Sequence, residues 1–202
     1  MTGERPTTAD PQPGGRDPAP GELGLIQGFI NTRWNLRDPR HSETFASGAA
    51  LADWLRSRGL LAGAARLGQG DLERALAVRE GLRALAFANN DHDLDLGAIE
   101  AMRDASRGVA TQIRIEPDGP QFVPEATASL DAALGAIFAI VARAMINGSW
   151  QRLKACPGRH CGWVFYDSSR NKSARWCSMQ VCGDREKSRA YYRRRTGREL
   201  SA

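Results

Sequence analysis

The chain has 202 residues, of which 42% are hydrophobic, and its formal net charge is +5. This length suits one domain of medium size plus a small one, and the hydrophobic content excludes a wholly disordered chain. The longest uncharged apolar run, residues 132–142, is too short to cross a bilayer, so we expect no membrane partner.

The first 20 residues contain five of the ten prolines and no cluster of aromatic or aliphatic side chains. Such a segment cannot bury enough apolar surface to offset the entropy of ordering it, so residues 1–20 are predicted to be a disordered tail. No cationic start is followed by an apolar stretch, as a secretion signal would require. The expected location is therefore the reducing cytoplasm.

Residues 21–148 are predicted to form a helical domain. Apolar side chains recur at helical spacing from Leu23 onward, and this first helix ends near residues 31–34. Ser47 is predicted to cap a second helix and Asp71 a third, longer one. A short helix is expected around Ile99.

The apolar period changes to two at residues 109–115, and a Pro-Asp-Gly-Pro turn follows at 117–120. This alternation predicts a small β-hairpin. After it, Ser129 is predicted to cap the most apolar helix of the chain, whose inward residues extend to Met145 and which ends at the Asn-Gly pair 147–148.

All four cysteines lie in the C-terminal part, residues 149–202. Cys156 and Cys161 form one Cys-x4-Cys pair, Cys177 and Cys182 form another, and fifteen residues separate the two pairs. Two such turns can complete a tetrahedron of thiolates around zinc, so we predict a structural zinc site.

Two disulfides or four unliganded core cysteines are the alternatives, and His160 could replace Cys161 as a ligand. A reducing compartment disfavours disulfides. The segment is also too short for a hydrophobic core of its own, and a bound metal would supply the missing folding energy.

The remaining pattern of this part predicts a strand at 163–166, a polar turn at 167–173 and a return strand at 174–176. A helix is expected from Asp184, whose side chain can cap its first free N–H groups. Each Cys-x4-Cys turn is called a knuckle here. The predicted order of knuckle, hairpin, second knuckle and helix is treble-clef-like.

These residues resemble the CGNR zinc finger, a bacterial C-terminal module, with Asp184 in place of the family's Asn. Further upstream, residues 29–32, 51–55 and 78–80 resemble the ABATE domain, the helical domain that usually precedes this finger. Proteins of this kind are regarded as DNA-binding transcriptional regulators, which is what the resemblance implies here. Besides the cysteines, the resemblance to the finger rests on Trp163, Phe165, Asp167, Ser169, Arg170, Asn171, Arg175, Trp176, Ser178, Met179, Gly183 and Arg185.

Charge is distributed unevenly along the chain. Residues 150–202 hold 13 Lys and Arg against 4 Asp and Glu, whereas the remainder holds 15 against 19. This asymmetry indicates a polyanionic partner for the C-terminal part, although a solvated charged face is the alternative. Arg185 and Arg189 are predicted to contact bases. The candidate DNA-binding residues are Arg170, Lys172, Arg175, Arg185, Lys187, Arg189, Arg193 and Arg194.

No enzyme motif is recognisable, and the three histidines are scattered, so we expect no enzymatic activity. In the helical domain, Phe29, Asn31, Thr32 and Arg33 are a candidate ligand pocket. The alternative is that Asn31 and Thr32 simply end a helix. Sensing of a small-molecule effector, homodimerisation and docking of another partner all remain open for this domain.

The predicted fold is therefore mainly α: an N-terminal helical domain with a small β-hairpin, followed by a C-terminal treble-clef-like zinc finger. The predicted function is that of a zinc-dependent DNA-binding regulator in the bacterial cytoplasm. An RNA- or ribosome-associated binding protein and a zinc-stabilised protein-interaction adaptor are the alternatives.

Overall fold

The computed structural model describes residues 12–36, 43–124 and 128–196, and it confirms the mainly α fold. None of the helices in these ranges is both long and apolar enough to cross a membrane. In chain order the elements are α1 Leu23–Asn31, α2 Gly48–Ser57, α3 Gln69–Ala88, α4 Leu96–Ala105, β1 Thr111–Glu116, β2 Gly119–Pro124, α5 Leu130–Ile146, β3 Leu153–Ala155, β4 Val164–Tyr166 and α6 Asp184–Thr196.

Side chains cap the helices largely where the sequence predicts. The Ser47 hydroxyl accepts a hydrogen bond from Ala50 N, and the Ser129 hydroxyl accepts one from Ala132 N, both over 3.2 Å. Asp71 is not the cap of α3, as its side chain lies in the first turn and accepts from Gly68 N over 2.9 Å. A carboxylate there still satisfies a free N–H and suits the positive end of the helix dipole.

The core lies between α1, α3 and α5. Ile26, Phe29 and Ile30 of α1 are fully buried, and α5 is buried along most of its length, as its apolar run predicts. Met145, expected to face inward, is 46% exposed because it lies in the last turn of α5, beyond the packed region.

The predicted hairpin is present as β1 and β2, with Ile113 opposite Phe122. The base of the hairpin packs closely on α5, where a Cβ at Gly135 would lie only 3.2 Å from the Thr111 hydroxyl. Farther out, Ile113 and Ile115 are 63% and 77% exposed. The alternating pattern therefore predicts the strands correctly. It does not show that their apolar side chains are buried.

The second hairpin differs from its prediction. Strand β4 pairs with β3, which precedes the first cysteine, and not with residues 174–176. The reason is that β3 contributes Leu153 and Ala155 to the helical core, where both are fully buried. Ala174 instead donates its backbone N–H to the Asp167 carboxylate over 2.9 Å.

The C-terminal hairpin and the helical domain share one hydrophobic core. Leu153, Ala155 and Val164 belong to the same buried cluster as Ile26 and Leu82. The hairpin therefore packs on α1 and α3, and the cysteine-containing segment extends from this junction.

Residues 12–20 differ from the expected disorder, whereas 1–11 lie outside the described residues. Arg16 donates to the carbonyl oxygens of Trp176 and Cys177 over 3.0 and 2.8 Å. Ala19 is buried, and its N–H donates to Gln27. Composition did not indicate this, because the contacts are hydrogen bonds from single polar residues and need no apolar cluster.

We expect Leu153→Ala to destabilise the helical domain together with the C-terminal part, by about 2–5 kcal/mol, because it opens a cavity in the shared core. Urea unfolding followed by far-UV circular dichroism reports on the helices. Tryptophan fluorescence also reports on the C-terminal part, where Trp163 and Trp176 pack against the cysteine cluster.

Both signals should shift together in Leu153→Ala. The matched control is Ile115→Ala, since this side chain is 77% exposed and its truncation should leave both transitions in place. A shift confined to the fluorescence transition would show that the two parts unfold independently.

Candidate metal centre and basic helix

The four cysteine sulfurs converge on one point. All of them lie within 4.8 Å of one another. Cys177 Sγ is 3.7 Å from Cys161 Sγ and 3.6 Å from Cys182 Sγ. Sulfurs at the corners of a tetrahedron with Zn–S bonds of about 2.3 Å lie roughly 3.8 Å apart. The cluster thus has the donor type and spacing of a structural zinc site and is able to hold a zinc ion.

The first pair is positioned by a tight turn between β3 and β4. Cys161 N donates to Gly158 O over 2.8 Å, and Cys156 N donates to Trp163 O, also over 2.8 Å. A side chain at Gly158 would bring its Cβ to 3.0 Å from the Cys182 sulfur, so this position favours glycine. The first knuckle is therefore the tip of the β3–β4 hairpin rather than a turn before it.

The second pair lies at the start of a helical segment. Ser178 caps the short helix Met179–Gly183 by accepting from Val181 N, and Cys182 lies in this turn. Helix α6 follows directly. Helix α6 thus begins at Asp184, as predicted, and it directly continues the helical turn that Ser178 caps.

Burial and mutual hydrogen bonding control the protonation of the cysteines. Hydrogen bonds from Cys161 and Cys177 lower the pKa of Cys156, whereas their bonds to Cys156 raise the pKa of these two thiols. Burial raises the pKa of Cys182. Burial and the proximity of the sulfurs oppose four thiolates in this pocket, and a divalent metal would supply the charge that lets all four ionise.

His160, the alternative ligand, lies outside the sulfur cluster. Its side chain is exposed, its backbone has a φ of 62°, and its carbonyl oxygen accepts from Leu36 N. Its place beside Cys161 in sequence does not bring its imidazole to the metal, because the turn points it outward.

The loop after β4 is organised by a buried ion pair. Asp167 is fully buried and accepts from the Lys154 ammonium over 2.9 Å. It also accepts from the hydroxyl and the N–H of Ser169. Burial raises the pKa of this carboxyl, but the Ser169 bonds and the Lys154 charge outweigh it, so the pKa is lowered overall.

Helix α6 carries most of the candidate DNA-binding residues and projects from the protein. Its packing contacts are mainly with the short helix before it, and none of its described side chains is buried. Arg185, Arg193 and Arg194 are exposed and have no hydrogen-bond or ion-pair partner within the described ranges. Arg189 is half-buried and pairs with Glu186 over 2.5 Å. Lys187 lies 3.8 Å from Asp184.

The other three candidates lie on the loop between β4 and the second cysteine pair. Arg170, Lys172 and Arg175 are all exposed. Lys172 donates to Gln151 over 3.3 Å, and the Arg175 guanidinium lies 5.7 Å from the centre of the Trp176 ring. The charged groups of these three side chains therefore lie at the protein surface.

The four residues of the candidate pocket have partners inside the protein. Phe29 is fully buried, and the Asn31 side chain pairs with the N–H and the carbonyl of Val164, both over 2.8 Å. Thr32 donates to Phe29 O, and the Arg33 carbonyl accepts from Arg83. These contacts favour a structural role for the group over a ligand pocket.

Sequence reasoning did not single out the buried charges that meet this region. Arg79 is 1% exposed and makes a two-pronged bond to Glu43. Arg83 is 2% exposed and donates to Gly162 O between the two hairpin strands. Burial would raise the pKa of Glu80, but the adjacent charges of Arg83 and Arg79 lower it. The Val-Arg-Glu segment at 78–80, which contains Arg79 and Glu80, is the sequence feature that could have indicated these buried charges.

We expect one zinc per chain in protein purified without added metal, and loss of that zinc in Cys177→Ser, whose sulfur contacts two others. Elemental analysis measures both. His160→Ala is the matched control and should retain the metal. A parent protein without zinc, and with two disulfides by mass spectrometry, would contradict the site.

Lys154→Met is expected to destabilise the zinc-loaded protein by about 3–5 kcal/mol, because it leaves the buried Asp167 carboxylate without a counter-charge. The free energy of unfolding in urea measures this. Lys187→Met is the control, since its ion pair is long and exposed and should contribute little. Equal destabilisation by the two variants would show that burial of the Lys154 pair is unimportant.

Comparison with protein families covers both parts of the chain. Residues 152–195 match the CGNR zinc finger, and residues 24–147 match ABATE, described as "Putative stress-induced transcription regulator". A comparison with curated proteins gives no significant match. Both predicted resemblances are thus confirmed, and both families are of the regulator or zinc-finger type. Because the ABATE match covers more than half of the sequence, the chain belongs to the ABATE family and carries a CGNR zinc finger after that region.

Proposed function

We propose that this protein is a zinc-dependent, DNA-binding transcription regulator of the bacterial cytoplasm. In this proposal the finger binds DNA and the helical domain senses an effector or forms a homodimer. The observation that carries the proposal is helix α6, a basic helix in which none of the described side chains is buried. The family description of the helical region supports the regulatory part.

Helix α6 is expected to be unstable on its own. A helix of 13 residues is marginal in water without tertiary packing, and α6 has little. Arg185, Arg189 and Arg193 follow one another at intervals of four, where like charges repel across a helix turn. Phosphates along one face would relieve this repulsion, so a polyanion stabilises the helix that binds it.

The composition of α6 supports phosphate as the counter-charge. Six of its 13 residues are Lys or Arg and two are acidic. Both acids are already close to cations of the same helix, Asp184 to Lys187 and Glu186 to Arg189. The excess charge therefore lies mainly on Arg185 and on the run 193–195.

The two arginines that are predicted to contact bases have different surroundings. Arg189 is engaged by Glu186, which also accepts from Arg159 N. Arg185 is exposed, lies in the first turn of α6 and is held close to the cysteine cluster by Cys182. Arg185 is therefore the better candidate for a base contact, since a guanidinium that reaches guanine needs both a fixed origin and free donors.

A role of the helical domain in regulation is supported by its direct bonds to the finger. Arg83 of α3 donates to Gly162 O, next to Cys161, and Asn90 donates to the carbonyls of Ala155 and Arg175. A change in α3, through an effector or a second copy of the chain, would reach the finger through these bonds. A homodimer would also lengthen the DNA site beyond what one helix can specify.

We expect binding to duplex DNA to depend on salt with a log–log slope of about −4, as four to five phosphate contacts would give. Arg194→Ala should weaken binding to all sequences alike and reduce the slope by about one. Arg185→Ala should instead relax sequence preference by about 1–3 kcal/mol at one base pair. Fluorescence anisotropy on a selected duplex and on its scrambled version measures both.

The control is Arg114→Ala, an exposed arginine of β1 in the helical domain, which should bind like the parent. If the parent bound without salt dependence, or Arg194→Ala bound like the parent, α6 would be a solvated surface. Preference for single-stranded RNA over every duplex would favour the RNA-binding alternative.

A further inference from the structure

A cleft lies where the segment after α1 meets the finger. Its volume is about 310 Å³, at the lower end of the roughly 300–1,000 Å³ that is usual for small-molecule sites. Cys161, Cys177 and Cys182 line one part of it, called the inner end here, and other segments of the chain line the remainder, called the outer part. The outer residues include Trp34, Asn35, Arg159, Trp163, Arg185 and Arg189.

Hydrogen bonds hold the walls of this cleft in place. Leu36 N donates to His160 O over 2.9 Å, which ties the segment carrying Trp34 to the first knuckle. Trp163 Nε1 donates to the Gln12 side chain over 3.1 Å, which fixes the orientation of its indole ring. The cleft is thus formed by the protein's own packing and is not left open between loosely joined parts.

Two residues in the outer part of the cleft are suited to binding a ligand. Trp34 is 44% exposed, and its ring has no aromatic or cation–π partner within the described ranges. Arg185 is exposed and, within the same ranges, has no bonding partner. A flat apolar surface and a guanidinium with free donors, both on the walls of one cleft, suit a ring that carries an anionic group.

A bound metal would influence the orientation of such a ligand. Zinc held by the four thiolates would carry a net charge near −2, and this charge would repel an anionic group from the inner end of the cleft. The anionic group therefore faces Arg185, since the Arg189 guanidinium is already paired with Glu186. The ring occupies the apolar part of the cleft, against the indole of Trp34.

We propose that this cleft binds a small aromatic anion, a flat ring bearing a carboxylate or a phosphate, through Trp34 and Arg185. If the proposed function holds, the same ligand competes with DNA, because Arg185 cannot bind both. The cleft would then be the effector site that regulates the finger.

Calorimetric titration of the zinc-loaded, full-length protein tests the site. The probes are 2-naphthoate and AMP, each beside its uncharged analogue, 2-naphthamide or adenosine. At least one of the two anions should bind, and its analogue should bind about tenfold more weakly, because it lacks the charge-assisted bond to Arg185. The two pairs also distinguish a carboxylate ligand from a nucleotide.

Three variants locate the binding. Arg185→Gln and Trp34→Ala should each weaken it by about tenfold or more. Arg114→Gln, which changes an exposed arginine of β1 outside the cleft, should bind the anion like the parent. Absence of binding by both anions, or equal affinity of the parent and the first two variants, would overturn the proposal.

DNA binding is measured separately by anisotropy, with and without the anion. Anion binding by a protein that does not bind duplex DNA would overturn the proposed function and support the cleft. DNA binding without anion binding would overturn the cleft alone. If both bind without competing, the shared use of Arg185 is wrong.

Discussion

Backbone groups of the C-terminal hairpin depend on side chains of the helical domain. The Asn31 amide satisfies both the N–H and the carbonyl of Val164, and Asn90 donates to two carbonyls of the finger. Buried backbone groups that lose such partners cost free energy, since water cannot replace them. Hydrogen bonds are directional, so these bonds fix the position of the finger relative to α1 and α3. The position of the cysteine cluster therefore depends on them.

Arg83 joins three parts of this arrangement. Its guanidinium donates to the carbonyls of Ile30 and Arg33, at the end of α1, and to that of Gly162 beside the first knuckle. Carbonyls at a helix end lack partners within the helix and carry partial negative charge, which a cation offsets. The Glu80 carboxylate balances the buried charge of Arg83. One residue thereby ends α1, anchors α3 and supports the zinc-finger turn.

Features with a local signal were predictable from the sequence. The caps at Ser47 and Ser129, the alternating strand β1 and the cysteine spacing each follow from residues close together in the chain. The pairing of β3 with β4 could not be predicted, because Leu153 is recognised as a strand residue only through its burial in the distant helical core. Gln27 and Asn90 resembled ordinary surface amides, since bonds between distant segments leave no periodic pattern. The contacts of Arg16 were hidden for the same reason.

The cysteine cluster and α6 differ in rigidity, and this difference has a functional consequence under the proposed function. Arg185 lies within one turn of Cys182, so its position depends on the metal site, whereas Arg193 and Arg194 lie two turns farther on, where both side chains are exposed. Base contacts require a fixed origin, but phosphate contacts tolerate movement. Zinc therefore acts on sequence preference more directly than on non-specific affinity. A ligand beside Arg185 would act on the same residue, so metal and effector converge on one point of the finger.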